Sequence, residues 1–344
     1  MIELKSMFLT ELESFVQENG FPKFRAKQIY QWLYKGVHRF DQMTNLPKSM
    51  ITFLEQNAII SLLEAEEKFV SKIDGTVKYL YRLNDGNYVE SVVMQYHHGY
   101  TICVSSQVGC RMGCTFCQST KGGKIRDLTS GEILEQILYA NQDLNITIHN
   151  VVMMGIGEPM DNFDNVLRFL QLVNDPAGLN IGFRHISLST CGVVPGIERL
   201  SQYDLPLTLS ISLHAPFDEI RSEMMPINRS YNIECLLKAC KEYQAITGRR
   251  ISYEYTLVRG VNDSQSCADQ LVSLLKGTLC HINLIPVNKI DNGQYDPSER
   301  DAVMRFQKRL TDGGLNATVR RTLGADIAAS CGQLRSQKMK GVIE

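Results

Sequence analysis

The chain has 344 residues, of which 44% are hydrophobic and 21% charged, and its formal net charge is -1. That length suggests about two domains and is enough to bury a full core. The neutral balance excludes a generally basic nucleic-acid binder, so any RNA contact has to come from local patches of Lys and Arg.

Residues 1 to about 60 read as helical. Phe8, Leu9, Leu12, Phe15 and Val16 recur at helical spacing up to Gly20. A second helix carries Phe24, Ile29, Trp32 and Leu33, interleaved with Lys23, Arg25, Lys27 and Lys35. That mixture suits either a nucleic-acid platform or a solvated amphipathic face. From about residue 68 the period changes to alternation, with Val77, Tyr79, Tyr81 and Leu83 on one face. Asp74-Gly75 and Asp85-Gly86 sit where hairpin turns belong. Residues 1–95 are therefore expected to form an accessory domain, helices first and hairpins after, with 96–344 as the core.

In the core, short β-rich runs alternate with helical stretches. Strands are expected at 101–105, 150–154, 185–189, 207–212, 252–258 and 281–285. One intervening helix begins at Thr129-Ser130-Gly131-Glu132, a capping-box pattern ahead of Ile133, Ile137 and Leu138. Repeating strand–helix units imply parallel strands with right-handed crossovers. The expected fold is thus α/β, a partial (β/α)6 barrel behind the helical and hairpin accessory domain. Barrel enzymes keep their chemistry at the C-terminal ends of the strands. The loop after the first strand, Gly157-Glu158, Ser189, Ser212-Leu213-His214 and Asn288 all fall at such ends.

Three cysteines carry the chemistry. Cys110-Arg111-Met112-Gly113-Cys114-Thr115-Phe116-Cys117 is a C-x3-C-x2-C run with an aromatic residue before the last thiol. Three thiolates so spaced hold three irons of a 4Fe-4S cube and leave the fourth iron open to a small molecule. In radical enzymes that molecule is S-adenosylmethionine, which the cluster cleaves to a 5′-deoxyadenosyl radical. The alternative is a structural zinc in an RNA-binding module without catalysis. Zinc ligands usually come as two C-x2–4-C or H-x3–5-H pairs, and no second pair follows here. Of the ten cysteines, Cys191, Cys235, Cys240, Cys267 and Cys280 show no ligand spacing and read as buried structural thiols. Met1-Ile2-Glu3-Leu4-Lys5 is no secretory signal and no apolar run is long enough for a bilayer, so the expected location is the reducing cytoplasm.

The residues around the cluster narrow the reading. Thr101-Ile102-Cys103-Val104-Ser105-Ser106-Gln107-Val108-Gly109 leads into the cysteines, and Gly155-Ile156-Gly157-Glu158-Pro159 follows them. Gly324-Ala325-Asp326-Ile327-Ala328-Ala329-Ser330-Cys331-Gly332-Gln333-Leu334 lies near the end. Together these resemble the RlmN/Cfr family of radical S-adenosylmethionine RNA methyltransferases, over nearly the whole chain. Val108 and Pro159 stand where the carbon-8 (Cfr-type) members carry Cys and Ala, so the resemblance favours carbon 2 of adenosine over carbon 8. Gln118 and Ser330 occupy positions where alanine is more usual, and neither change removes a reactive group.

The resemblance implies a mechanism. Carbon 2 of adenine lies between two ring nitrogens and is too electron-poor to attack a sulfonium methyl group. Cys331 would take a methyl group from one S-adenosylmethionine. A second would supply the radical that turns this S-methyl group into a methylene radical, which adds to carbon 2. Glu90 would accept the proton from carbon 2, and Cys103 would resolve the RNA–protein link through a transient disulfide with Cys331. Gly157, Glu158, Ser189, Ser212, Leu213, His214 and Asn288 match the family's S-adenosylmethionine contacts, and Cys110, Cys114 and Cys117 its cluster ligands. Implied partners are 23S ribosomal RNA, transfer RNA with its adenosine beside the anticodon, and an electron donor such as flavodoxin or ferredoxin. No membrane and a monomer are expected. Lys121, Lys124, Arg126, Arg320, Arg321, Arg335, Lys338 and Lys340 flank the expected mouth as candidate phosphate contacts.

Overall fold

The computed structural model describes residues 1–288, 295–329 and 333. At the N-terminus, α1 (Leu9–Glu18), α2 (Phe24–Tyr34) and α3 (Lys48–Asn57) close around Leu12, Val16, Ile29, Leu33, Met50 and Leu54. Those positions recur every three or four residues, so each helix presents one apolar stripe to the others. Ile2–Glu3 pairs in parallel with Ala58–Ile59 and ties the two ends of the unit together. A buried ion pair between Lys5 and Glu135, and Tyr30 Oη donating to Asp175 Oδ2 at 2.7 Å, fasten it to the rest of the chain.

Ten strands make one sheet in sequential order. They are β1 (Glu64–Val70), β2 (Val77–Arg82), β3 (Tyr88–Tyr96), β4 (Gly99–Cys103), β5 (Ile148–Met153), β6 (Ile186–Thr190), β7 (Thr208–Ser212), β8 (Ile251–Leu257), β9 (Cys280–Pro286) and β10 (Ala317–Val319). β1 to β4 form an antiparallel meander, and β4 to β10 are parallel. Crossover helices α4 (Ser130–Leu144), α5 (Phe163–Asn174), α6 (Val194–Leu200), α7 (Asp218–Met224), α8 (Ile233–Thr247), α9 (Gln265–Leu275) and α10 (Arg300–Asp312) connect the parallel strands. This is the expected partial (β/α)6 arrangement, six strand–helix units followed by the short β10, which the sequence pattern did not announce. Thr129 caps α4 as its motif predicts: its Oγ1 accepts from Glu132 N–H at 3.1 Å, and Glu132 accepts from Thr129 N–H at 3.0 Å.

The two faces of the meander do different things. Val77, Tyr79, Tyr81 and Leu83 join the large core of the parallel sheet, with the Tyr79 and Tyr81 rings stacked 5.3 Å apart. The helices of the accessory segment have a core of their own, whereas its hairpin strands continue the main sheet and share its core. Cross-strand partners share a face. Leu80 pairs with Glu90, and Val92 pairs with both Lys78 and Cys103, so Lys78, Glu90, Val92 and Cys103 lie together on the other face. Segment 324–329 covers that face through Ala329, which packs with Val92, Met94 and Cys103. Asp326 accepts from Ser71 Oγ at 2.7 Å and Lys72 N–H at 2.9 Å, and Gly324 N–H donates to Asp74 at 2.9 Å. Among the described residues no helix is long and apolar enough to cross a membrane.

Candidate active site

A cavity opens where the parallel strands end. Cys110, Cys114 and Cys117 line it from the loop after β4, Gly157 and Glu158 from the loop after β5. Ser189 at the end of β6, Ser212 and His214 at the end of β7, and Asn288 after β9 complete it. The topology thus gathers nine of the expected residues from five separate chain segments. Leu213 is not among the lining residues; it is fully buried in the main core, its N–H bonded to Glu254 O at 3.1 Å. Alternation at the strand end turns the side chain between two cavity-facing neighbours inward.

The cysteine loop is held by backbone geometry. Gly109 has φ +73°, and a Cβ there would lie 1.9 Å from Gly123 O, so no other residue fits. Cys110 N–H donates to that same carbonyl at 2.9 Å. Thr120 Oγ1 accepts from Gly113 N–H at 2.8 Å and donates to Cys110 O at 3.2 Å. Burial pushes Cys110 up to about 12 and Cys114 well above the usual thiol range, and the neighbouring Cys117 adds to both rises. Thiols so reluctant to ionise become ligands when a cationic group takes the place of their protons. Cys110, Cys114 and Cys117 all line the one cavity, a donor set suited by its chemistry to a group held through three sulfurs. Among the described residues no group of three or more His, Cys, Asp or Glu side chains is arranged to hold a metal ion.

Opposite the loop, the polar side chains are locked by main-chain partners. Glu158 is buried and accepts from Met160 N–H at 3.0 Å and Cys191 N–H at 2.8 Å; burial raises its carboxyl and these donors oppose the rise. Gly157 has φ +109°, and a Cβ there would meet Gln107 and Ser106 at 2.7 Å. Its glycine is required by packing as much as by ligand approach. Gln107 joins the two loops, accepting from Glu158 N–H at 2.9 Å and donating to Asp127 at 2.8 Å and Asp161 at 2.9 Å. His214 Nδ1 accepts from Thr256 N–H at 2.9 Å, so a neutral ring carries its proton on Nε2. Burial, reinforced by the charge of Arg221, holds this imidazole down at about 3.

Three functional groups escaped the sequence reading. Arg221 is fully buried and donates to Leu213 O at 3.0 Å, Cys191 O at 2.8 Å, Ser212 O at 3.1 Å and Asn228 Oδ1 at 2.8 Å. It fixes the ends of β6 and β7; in Asp-Glu-Ile-Arg-Ser-Glu-Met nothing sets it apart from a surface helix charge. Cys191, read as structural, lines the cavity beside Glu158. Glu254 also lines it, taking a hydrogen bond from Asn283 at 2.9 Å with Arg320 at 3.8 Å. Its signal was available, since a carboxylate in a strand buried on both faces calls for a partner.

Glu90 and Cys103 do not line this cavity; they sit on the tail-covered face of the meander. Ser105 links the two places, its Oγ donating to Glu90 O at 2.6 Å and accepting from Ile156 N–H at 2.9 Å. Glu90 is 1% exposed, and burial raises its carboxyl to about 7. Cys103 is buried against Ala329, two residues before Cys331. Cys331 itself, with Arg335, Lys338 and Lys340, lies outside the described residues. Two of the candidate phosphate contacts are committed elsewhere. Lys124 pairs with Asp127 at 2.8 Å and Asp161 at 2.9 Å, and Arg126 with Asp85 at 2.5 Å and Glu132 at 2.7 Å.

Comparison with known proteins agrees with this layout. Residues 104–268 match the Radical SAM superfamily, whose members use S-adenosylmethionine and a 4Fe-4S cluster. Residues 2–60 match the Ribosomal RNA large subunit methyltransferase N-terminal domain. The protein named "Probable dual-specificity RNA methyltransferase RlmN" in Alkaliphilus metalliredigens (strain QYMF) is 51% identical over 97% of this chain and 95% of its own length. The protein of that name in Clostridium novyi (strain NT) is 52% identical, over 97% and 98%. A crystal structure of a radical SAM methyltransferase from Sphaerobacter thermophilus superposes with a TM-score of 0.93, at 40% identity over 97% of this chain and 99% of that one. Matches of this extent displace the zinc-stabilised module, and the chain belongs to the RlmN family of dual-specificity radical S-adenosylmethionine RNA methyltransferases.

Proposed function

We propose that this enzyme methylates carbon 2 of adenosine in 23S ribosomal RNA and in transfer RNA, beside the anticodon. The observation that carries the reading is the tail-covered face of the meander: Glu90 and Cys103 lie on it together, under the segment that leads to Cys331. A carbon-2 methylation through a cysteine-bound methyl group needs those three groups and little else beyond the radical.

Cys110, Cys114 and Cys117 would hold the 4Fe-4S cluster. Gly157, Glu158, Ser189, Ser212, His214 and Asn288 would hold S-adenosylmethionine against it. When bound, these groups supply a 5′-deoxyadenosyl radical. Glu158, fixed by two backbone donors, is oriented for an ammonium group. His214 stays neutral across the physiological range and offers a hydrogen bond without a charge. Cys331 carries the methyl group on its sulfur and, after carbon–carbon bond formation, the RNA. Once the adduct has passed its unpaired electron to a one-electron acceptor, Glu90, raised by burial to about 7, is poised to take the carbon-2 proton near neutral pH. The Cys103 thiolate then attacks the Cys331 sulfur. A sulfur–sulfur bond forms, the sulfur–carbon bond breaks, and the methylene leaves with the electron pair and gains a proton.

The target base must leave its stack to reach the covered face of the meander. The accessory helices would contribute RNA contacts, with Arg25 over the exposed Phe24 ring and Lys35 over Trp32. We place the enzyme in the cytoplasm as a monomer, supplied by a one-electron donor of the flavodoxin or ferredoxin class. Nucleoside mass spectrometry of RNA from a deletion strain, with and without the restored gene, tests the reading. Restoration of 2-methyladenosine in both RNA classes is expected; 8-methyladenosine in its place overturns it in favour of the carbon-8 reaction.

A further inference from the structure

On the covered face of the meander, one charged group touches both the expected base and the backbone of the segment above it. Lys78 Nζ lies 3.8 Å from Glu90 Oε1 and donates to Ala328 O at 3.3 Å. Its side chain is only 10% exposed, and its ammonium sits 5.1 Å from the centre of the Phe69 ring. Glu90 Oε2 is buried and has no hydrogen-bond partner among the described residues. A carboxylate held this loosely, in a site this dry, is exceptional among buried polar groups. Ala328 stands three residues before Cys331, with φ +48°, a conformation that a non-glycine residue adopts only when its surroundings impose it.

We propose that Lys78 is a positioning residue for Glu90, placed so that a single ammonium reads both the base and the docking of the segment that carries Cys331. This rests on the reading of Glu90 as the carbon-2 base and goes beyond it by assigning the group that controls the base. The local charges support a specific role. Lys78 on β2 is the cation facing Glu90, Glu67 on β1 opposes it, and Cys103 on β4 lies on the same face. Asp326, the acidic group of the covering segment, is bonded to Ser71 and Lys72. Among the described residues, the Lys78 charge is the one that favours the ionised, proton-accepting form of Glu90. The same ammonium donates its hydrogen bond to the Ala328 carbonyl, so docking of segment 324–329 fixes the cation where the base needs it.

The test has two readouts. Infrared difference spectroscopy of the whole protein, subtracting Glu90→Gln, follows the Glu90 carboxyl stretch as pH is varied and requires no catalysis. Lys78→Met should move its titration upward by roughly one pH unit or more, and Lys78→Arg should bring it back. The second readout is single-turnover RNA methylation, whose acid limb should move with the carboxyl. An unmoved carboxyl titration in Lys78→Met overturns the proposal. Wild-type turnover in Glu90→Gln alone refutes the assignment of the base itself, whatever the Lys78 titrations show.

Discussion

The strand-end cavity and the covered face of the meander both bury charged groups, yet they treat them in opposite ways. Glu158 and His214 on the cavity lining, and Arg221 at the strand ends that frame it, are pinned by main-chain partners at 2.8 to 3.1 Å. On the meander, Glu90 keeps an unpartnered oxygen and one cation at 3.8 Å. Satisfied groups are rigid and hold their protonation state, which suits binding and orienting a cofactor. Under-satisfied groups are costly, and their protonation is finely balanced, which suits proton transfer. In the proposed mechanism, this difference in satisfaction separates radical generation from acid–base work.

The comparison predicts that damage to the cavity wall is all-or-none. Replacing Cys110, Cys114 or Cys117 by Ala should abolish both iron binding and S-adenosylmethionine cleavage, because two thiolates cannot hold the cube. Iron analysis and 5′-deoxyadenosine assays of anaerobically purified protein check this, and full loading of any one variant would falsify the ligand assignment. Damage on the meander should instead stop the reaction part-way. Cys103→Ala should leave radical formation intact and accumulate protein joined to RNA through Cys331. After nuclease digestion an adenosine mass on the Cys331 peptide is expected. Protein that is fully loaded and S-methylated but free of RNA contradicts the resolving role.

The remaining two predictions concern stability and sharpen the contrast. Arg221→Met strips donors from three buried carbonyls and should destabilise the fold by roughly 3 kcal/mol or more. Lysine should not rescue it, lacking the planar fork. Denaturation midpoints decide; a loss within the noise would mean that the carbonyls find other partners. Glu90→Gln should do the reverse. Its folded-state carboxyl, at about 7, lies above the ordinary 4.5, so its favourable contribution exists below pH 4.5 and is lost as pH rises through 7. Above that the ionised group is a burden, and Gln should stabilise the protein at pH 8 by roughly 2–3 kcal/mol. The gain should shrink toward zero near pH 4.5. An equal gain at both pH values would assign it to packing rather than charge.

Much of the architecture is legible in the sequence because it rests on local pattern. The six expected strands fall within two residues of β4 to β9, and the Thr129 capping box is formed as its spacing implies. The cavity residues could be named because motif and strand-end position coincide. What stayed hidden depends on partners far along the chain. Lys124 and Arg126 look like free cations until Asp161 and Asp85 are folded against them. Arg221 looks solvated until three strand-end carbonyls turn toward it. Leu213, set between two cavity residues, shows that a motif names a segment while the pleat decides which side chains serve the site. The hairpins read as part of an accessory unit because alternation reveals a strand but not the sheet it joins.

The clamp between the hairpin turn and segment 324–329 has a consequence for the order of assembly. Asp326 meets Ser71 across 255 positions of sequence, and Lys78 meets Ala328 across 250. Contacts of such long range form late, after loop closure has been compensated by everything between them. During synthesis the cysteine loop, Glu90 and Cys103 are all made long before their cover arrives. The covered face of the meander is therefore the last surface to close. A nascent or partly folded chain can hold these residues, but it does not yet hold them under segment 324–329.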